Sequence, residues 1–184
     1  MGVINVEFIY GSLCPPSPSF PPSSSPSLLL SSALTSSVLP SSLRNSSVDV
    51  RVVVLQSDGG EVRAGVMAAG AAMRGAGVRM RGTATSCAVA ILPREGMGGK
   101  GDAGGGDAGG GEGRGRRDNE FVVDPTHEEG ARAVGTVEVC LVGDELVSWK
   151  TEGRGGMREV REAKDMAVRG CRTWKKEIEE IYGK

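Results

Sequence analysis

Between Gly96 and Gly115 lie 12 of the chain's 29 glycines. A run this rich in glycine buries too little side chain to repay the entropy of ordering it. It therefore divides the 184 residues into stretches that can pack and stretches that cannot, and the sequence predicts a flexible insertion over 96–117. The insertion contains a formal Gly-x-Gly-x-x-Gly at Gly99, Gly101 and Gly104. A dinucleotide site needs that pattern between a strand and a helix, and more glycine comes after it instead. Arg114, Arg116 and Arg117 end the insertion as a basic cluster, most simply a solvated one.

Residues 1–47 differ in composition from the rest of the chain. From Gly11 to Ser47 the sequence is mostly Ser and Pro around Leu28-Leu29-Leu30 and Val38-Leu39, with Arg44 as its only charge. No helical or strand period fits it, so it is expected to be disordered, or to reflect an error in the gene model. A secretory signal does not fit, because Glu7 stands where a basic region belongs and Pro15 to Pro26 precede the apolar patch. Val6 stands where myristoylation wants Ser or Thr, and Asn45-Ser46-Ser47 matches the glycosylation triplet only as such triplets arise by chance.

Regular structure is expected from Val48. Val48, Val50, Val52 and Val54 share one face of a strand that ends at Gln56-Ser57-Asp58-Gly59-Gly60. Over Glu61 to Ala76, Val62, Val66, Ala69 and Met73 recur 3 or 4 apart, which predicts a helix whose remaining small residues let it approach a sheet. Gly75 and Gly77 stop it, and one or two strands come next from Val78 to Leu92, broken at Gly82. Past the insertion, Glu120 to Asp124 reads as a strand, and Ala133 to Val142 as another with Val134, Thr136, Glu138, Cys140 and Val142 on one face. A turn at Gly143-Asp144 returns a strand over Glu145 to Thr151 carrying Trp149. Met157 to Ile181 has apolar residues at helical spacing and charges opposite, the usual solvated face, which is not read as a nucleic-acid helix. The order gives an α+β class, a mixed sheet with packed helices.

Charge limits the function classes. Lys and Arg number 22 against 23 Asp and Glu, so global basicity does not drive nucleic-acid binding and only local patches could. Cys14, Cys87, Cys140 and Cys171 are irregularly spaced with no Cys-x-x-Cys pair, which favours a reducing compartment over disulfides and makes a zinc site unexpected. No run approaches the ~18 apolar residues of a membrane span.

A family resemblance adds to this reading. Gln56-Ser57-Asp58-Gly59-Gly60 before a small-residue helix, Gly77-Val78-Arg79-Met80-Arg81-Gly82, Phe121-Val122-Val123-Asp124-Pro125-Thr126 with Glu128-Glu129, and Ala131-Arg132-Ala133 occur in the order of the ribonuclease PH family of phosphorolytic 3′ exoribonucleases. Within it they resemble the ring subunits of the eukaryotic RNA exosome. The likeness covers Val48 to Lys184 and implies a ribonuclease PH-like (ribosomal protein S5 domain 2-like) fold. The family's opening strands, with an arginine that helps hold phosphate, have no counterpart recognisable in residues 1–47. The expectation is thus a domain truncated in its N-terminal half, a gene model wrong at its start, or a partner sheet from elsewhere.

The family's chemistry maps onto named positions. Active members present Thr-Arg-Thr at a helix N-terminus after Asp-Gly-Gly, where backbone N–H groups and the guanidinium hold phosphate. The triplet in this sequence is Glu61-Val62-Arg63: a carboxylate first, an aliphatic residue second, and an arginine one residue late, about 100° round the helix. Of two aspartates six apart, Asp124 matches the first and Gly130 stands at the second. His127 has no nucleophile placed beside it by any motif and reads as a turn residue. The resemblance therefore implies a degenerate phosphorolytic site and a non-catalytic ring subunit, with an active exoribonuclease as the alternative. Its partners would be other ribonuclease PH-like exosome subunits, cap proteins and single-stranded RNA, without membrane, metal or cofactor, in nucleus, nucleolus and cytoplasm. Arg74, Arg79 and Arg81 are the expected RNA contacts.

Overall fold

The computed structural model describes residues 3–12, 14, 26–43, 46–93 and 119–182. The expectations for the glycine-rich insertion, its arginine cluster, Arg44 and the prolines before Pro26 lie outside them. The described elements are β1 (Val3–Tyr10), α1 (Pro26–Ser37), a 3₁₀ turn (Pro40–Leu43), β2 (Ser47–Val54), α2 (Glu61–Gly75), β3 (Ala84–Leu92), β4 (Glu120–Val123), α3 (His127–Arg132), β5 (Gly135–Val142), β6 (Glu145–Gly153) and α4 (Met157–Tyr182).

The first two elements correct the reading of residues 1–47. β1 pairs with β2 in parallel, from Val3 opposite Ser47 to Tyr10 opposite Val54. On the inner face Val6, Phe8 and Val52 pack towards α1 and α2. On the outer face Asn5 donates to Asp49 at 2.7 Å and Arg51 pairs with Glu7 at 2.7 Å. The strand at Val48 thus has a neighbour, where none was expected. α1 covers the same face with Leu30 and Leu34, both fully buried. Serine is a weak helix former, so composition hides this helix; Pro26 suits its first position, and burial of two leucines stabilises what propensity does not.

The remaining strands form an antiparallel sheet in the order β4-β3-β5-β6. Parallel and antiparallel pairing therefore occur in two separate sheets rather than one mixed sheet. β3 is buried on both faces. Cys87, Val89 and Ile91 meet Val137, Val139 and Leu141 of β5 under Ala163, Ala167 and Cys171 of α4. Ala84, on the opposite face, joins Val62, Val66, Cys140, Val142 and Leu30 under α2 and α1. The small residues of α2 do bring it close: a Cβ at Gly70 would lie 3.4 Å from the Ala84 backbone and side chain.

β3 starts later than the expected Val78. Gly77 takes φ +78°, Met80 makes only an isolated bridge to Val38, and Gly82 lies against Gly143 so closely that a Cβ would sit 2.6 Å from its backbone nitrogen. Close backbone approach rather than strand pairing occupies 78–83. β5 keeps the predicted alternation, with Thr136, Glu138, Cys140 and Val142 on the side of α2, but its other face is buried as well, because α4 covers it.

Candidate functional site

A cleft of about 270 Å³ opens at the N-terminal end of α2. Its walls come from the turn before α2 (Gly59, Gly60), the first residues of α2 (Glu61 to Arg63), the stretch Pro125 to Ala131, β5 (Thr136, Glu138) and β6 (Lys150, Glu152). The sequence brings these segments together through two local devices. Gly59 and Gly60 both have positive φ (+88° and +86°), which turns the chain from β2 into α2 without the strain a side chain would bring. Thr126 caps α3 reciprocally: its hydroxyl accepts from Glu129 N–H at 3.3 Å while the Glu129 carboxylate accepts from Thr126 N–H at 2.8 Å. The His127 N–H then donates to the Asp58 carbonyl at 2.8 Å, joining α3 to the Gly-Gly turn. The bonds from the Thr126 N–H and hydroxyl hold the Glu129 carboxyl below its ordinary value, which makes it a capping group.

The triplet positions sit at the cleft with distinct roles. Glu61 is buried (7% exposed) and accepts a hydrogen bond from the Ser57 hydroxyl. Val62 belongs to the apolar core with Leu30 and Val66. Arg63 differs from the expectation of a side chain turned away: it lines the cleft. Its guanidinium folds back over Gly60, where a Cβ would lie 2.5 Å from Nη2, so a bare glycine makes the space. Its Nε stands 3.6 Å from Asp124 Oδ1.

Asp124 is not a wall of the cleft. It has φ +50° at the end of β4, a conformation Asp tolerates better than most residues. Its carboxylate is shared among Arg63, the Ala88 N–H (3.4 Å) and the Trp174 indole N–H (3.4 Å). It thereby ties α2, β3 and α4 together at the end of β4. Gly130 does face the cleft, and a Cβ there would meet nothing within 4 Å. His127 lines it too.

Three charged cleft residues have no counterpart among the sequence candidates: Glu138, Lys150 and Glu152. Glu138 stands opposite Lys150 in the β5–β6 register, and Lys150 pairs with Glu152 at 2.5 Å. Burial raises the Glu138 carboxyl, opposed by Arg63 and Lys150, with Glu152 raising it further. The signal available in the sequence was a single carboxylate inside an apolar strand, with Lys150 and Glu152 two apart on the returning strand. The cleft carries Glu61, Glu138 and Glu152 against Arg63 and Lys150, so it offers a phosphate no net positive field. Among the described residues no three His, Cys, Asp or Glu side chains gather as a metal would require.

Arg74, Arg79 and Arg81 are remote from this cleft, near the other end of a 15-residue helix, which at 1.5 Å per residue is about 22 Å long. Arg74 donates to Thr83 Oγ1 at 3.0 Å and Arg81 pairs with Glu145 at 2.7 Å. Arg79 is exposed, and its carbonyl accepts from Leu39 N–H at 3.1 Å. Among the described residues no helix is long and apolar enough to cross a membrane.

The architecture is similar to that of a solved protein, rice (Oryza sativa) Rrp46. The TM-score is 0.73 at 14% sequence identity, over 99% of this chain and 74% of that one. The likeness includes the β1–α1 region, since nearly the whole chain is covered. No protein-family model matches the sequence, and no curated protein matches it.

Proposed function

We propose that this chain is a non-catalytic structural subunit of an RNA exosome core ring, supporting 3′–5′ RNA processing and degradation, ribosomal RNA maturation included. Two lines support the reading: the order of ribonuclease PH-like motifs, which resembles that of the ring subunit ribosomal RNA-processing protein 46, and the fold similar to that of rice Rrp46. A fold alone hosts many functions, and it is the cleft that speaks against catalysis. The observation that carries the reading is the internal neutralisation of both anion-binding devices. The buried Glu61 carboxylate stands at the first position of α2, where the helix dipole would otherwise favour a phosphate. The Arg63 guanidinium faces Asp124. With Gly130 lacking a side chain, the acid expected six residues after Asp124 is missing as well.

In this reading the partners are other ribonuclease PH-like subunits, cap proteins and single-stranded RNA, with Arg74, Arg79 and Arg81 as RNA contacts, and the protein works in nucleus, nucleolus and cytoplasm. The direct test is to incubate the purified chain with a 3′-labelled oligoribonucleotide, phosphate and magnesium. No nucleoside diphosphate should form, and co-expression with ring subunits should yield a stoichiometric complex. One observation favours the alternative of an active phosphorolytic enzyme: Arg63 and Glu138 both face the cleft. Phosphate-dependent release of diphosphates that Arg63→Ala abolishes would establish it.

A further inference from the structure

On the face of the antiparallel sheet opposite to α2, α4 lies over β3, β5 and β4. The edge strand β6 extends beyond it. The β6 residues on the α4 side, Leu146 and Trp149, stand opposite Leu141 and Val139 of β5, yet both remain open, 42% and 51% exposed. An apolar strip on an edge strand is thus left beside a helix that does not cover it.

The flank of α4 that borders this strip is basic. At 100° per residue, Arg161, Lys164, Arg172 and Lys175 fall within one sector of about 80°, which holds one acid, Glu179, a turn beyond Lys175, whereas the opposite flank mixes Glu159, Glu162, Arg169 and Glu177. Three contacts fix which flank faces β6. Lys164 Nζ lies 5.2 Å from the centre of the Trp149 ring, Lys175 reaches Asp144 in the β5–β6 turn at 2.9 Å, and Glu159 bonds Asn119 beside β4 at 2.6 Å. Arg161 and Arg172 are exposed. Asp144 is the acid at the end of the groove; Lys175 and, more weakly, Arg172 hold its carboxyl below the ordinary value.

The geometry points to a second RNA surface, in which the groove between β6 and α4 holds a few nucleotides of single-stranded RNA without reading their sequence. Trp149 stacks on a base while Arg161, Lys164 and Arg172 meet the phosphates. Charge decides the occupant: an exposed indole flanked by cations along about 16 Å of helix, the rise from Arg161 to Arg172, is what a strand carrying phosphates and flat bases requires. This goes beyond the ring-subunit reading and takes from it only the choice of RNA as ligand, since the groove lies on the other face of the antiparallel sheet from the cleft, and only its Asp144 end approaches the Arg81–Glu145 pair.

The test uses the full chain and a labelled 12-nucleotide oligouridylate, with oligoadenylate for comparison. Binding is followed by anisotropy and, in a Trp174→Phe background, by quenching of Trp149 fluorescence. Both oligonucleotides should bind and quench. Trp149→Ala should weaken binding about tenfold, and Trp149→Phe should retain most of the affinity. Arg161→Glu with Arg172→Glu should weaken it further and lower the log–log salt slope by about 0.7 per phosphate that the two arginines neutralise. The control Arg158→Glu with Lys176→Glu, on the outer side of the same helix, should do much less, and melting curves check that every variant folds. Equal effects of the two charge pairs, or no quenching, would overturn the proposal. So would loss of ring assembly with unchanged RNA affinity in the groove variants, which would mark the strip as a protein interface. If the ring fails to form while the groove still binds RNA, only the ring-subunit reading falls.

Discussion

Arg63, on the cleft wall, faces Asp124 outside it, Nε to Oδ1 at 3.6 Å, with side chains 16% and 37% exposed. The pair joins the first turn of α2 to the end of β4, and the same carboxylate accepts from Ala88 of β3 and Trp174 of α4. A residue matched by motif to an acid catalyst thus serves as a junction of four elements.

Asp124→Asn keeps one acceptor and removes the charge. It should cost about 1 kcal/mol, the scale of a partly exposed charge-assisted contact, and redden Trp174 emission. Denaturant melts and fluorescence check both. A change below about 0.3 kcal/mol, within the spread of neutral surface substitutions, would mean that the junction carries no weight.

The second prediction concerns Glu138. Its folded value is raised by burial, so the ionised form opposes folding. That penalty is absent below the ordinary carboxylate range, where the group is protonated in both states, and develops as pH rises through it. Glu138→Gln should therefore raise the melting temperature at about pH 7 and have little effect near pH 4. The reverse order would show that Arg63 and Lys150 outweigh the burial.

The buried thiols make a third case. Cys87 and Cys171 are pushed by burial from 9.0 to about 12, and Cys140 to about 11. Folding favours their protonated forms, so this contribution is complete below about pH 9 and is lost as pH rises towards about 12. Stability should decline over that window, and the three thiols should resist a thiol reagent at about pH 8 until the chain unfolds. Rapid labelling of Cys87 or Cys171 in the native protein would contradict the packing.

Helix α4 meets β3 at Gly170, where a Cβ would lie 2.5 Å from the Cys87 sulfur. Gly170→Ala should destabilise by about 1–3 kcal/mol through overpacking. Adding Cys87→Ala should recover much of the loss, because the sulfur is the obstacle. Additive penalties in the double mutant would place the cost elsewhere.

The last prediction bears on the arginines around the end of α2. In an assembled ring, reversing Arg74, Arg79 and Arg81 together should weaken RNA binding equally for unrelated sequences. Arg79 should account for more of it than Arg74 or Arg81, which already contact Thr83 and Glu145. Unchanged affinity would put the RNA path elsewhere.

What was legible in the sequence was periodic and local. The valines of β2, the apolar face of α2, the alternation of β5 and the long repeat of α4 can be read because a helix or strand buries every third, fourth or second residue whatever lies against it. The Asp-Gly-Gly turn also depends only on neighbours in the chain. The Thr126–Glu129 capping box is equally local, yet the six-residue α3 it opens is too short to show a period, so His127 reads as a turn residue in the sequence and is helical in the structure. Tertiary structure decided the rest. β1 and α1 lie in a Ser- and Pro-rich background and gain their stability from burying Phe8, Leu30 and Leu34 against α2 and β2, contacts between residues far apart in sequence. Arg63 lines the cleft and Asp124 does not because Gly60 leaves room for a guanidinium and Ala88 and Trp174 draw the carboxylate away. Glu138 joins the cleft because β6 returns Lys150 opposite it. Periodicity reports which residues share a face; which faces meet depends on long-range packing, and there the cleft took its charge.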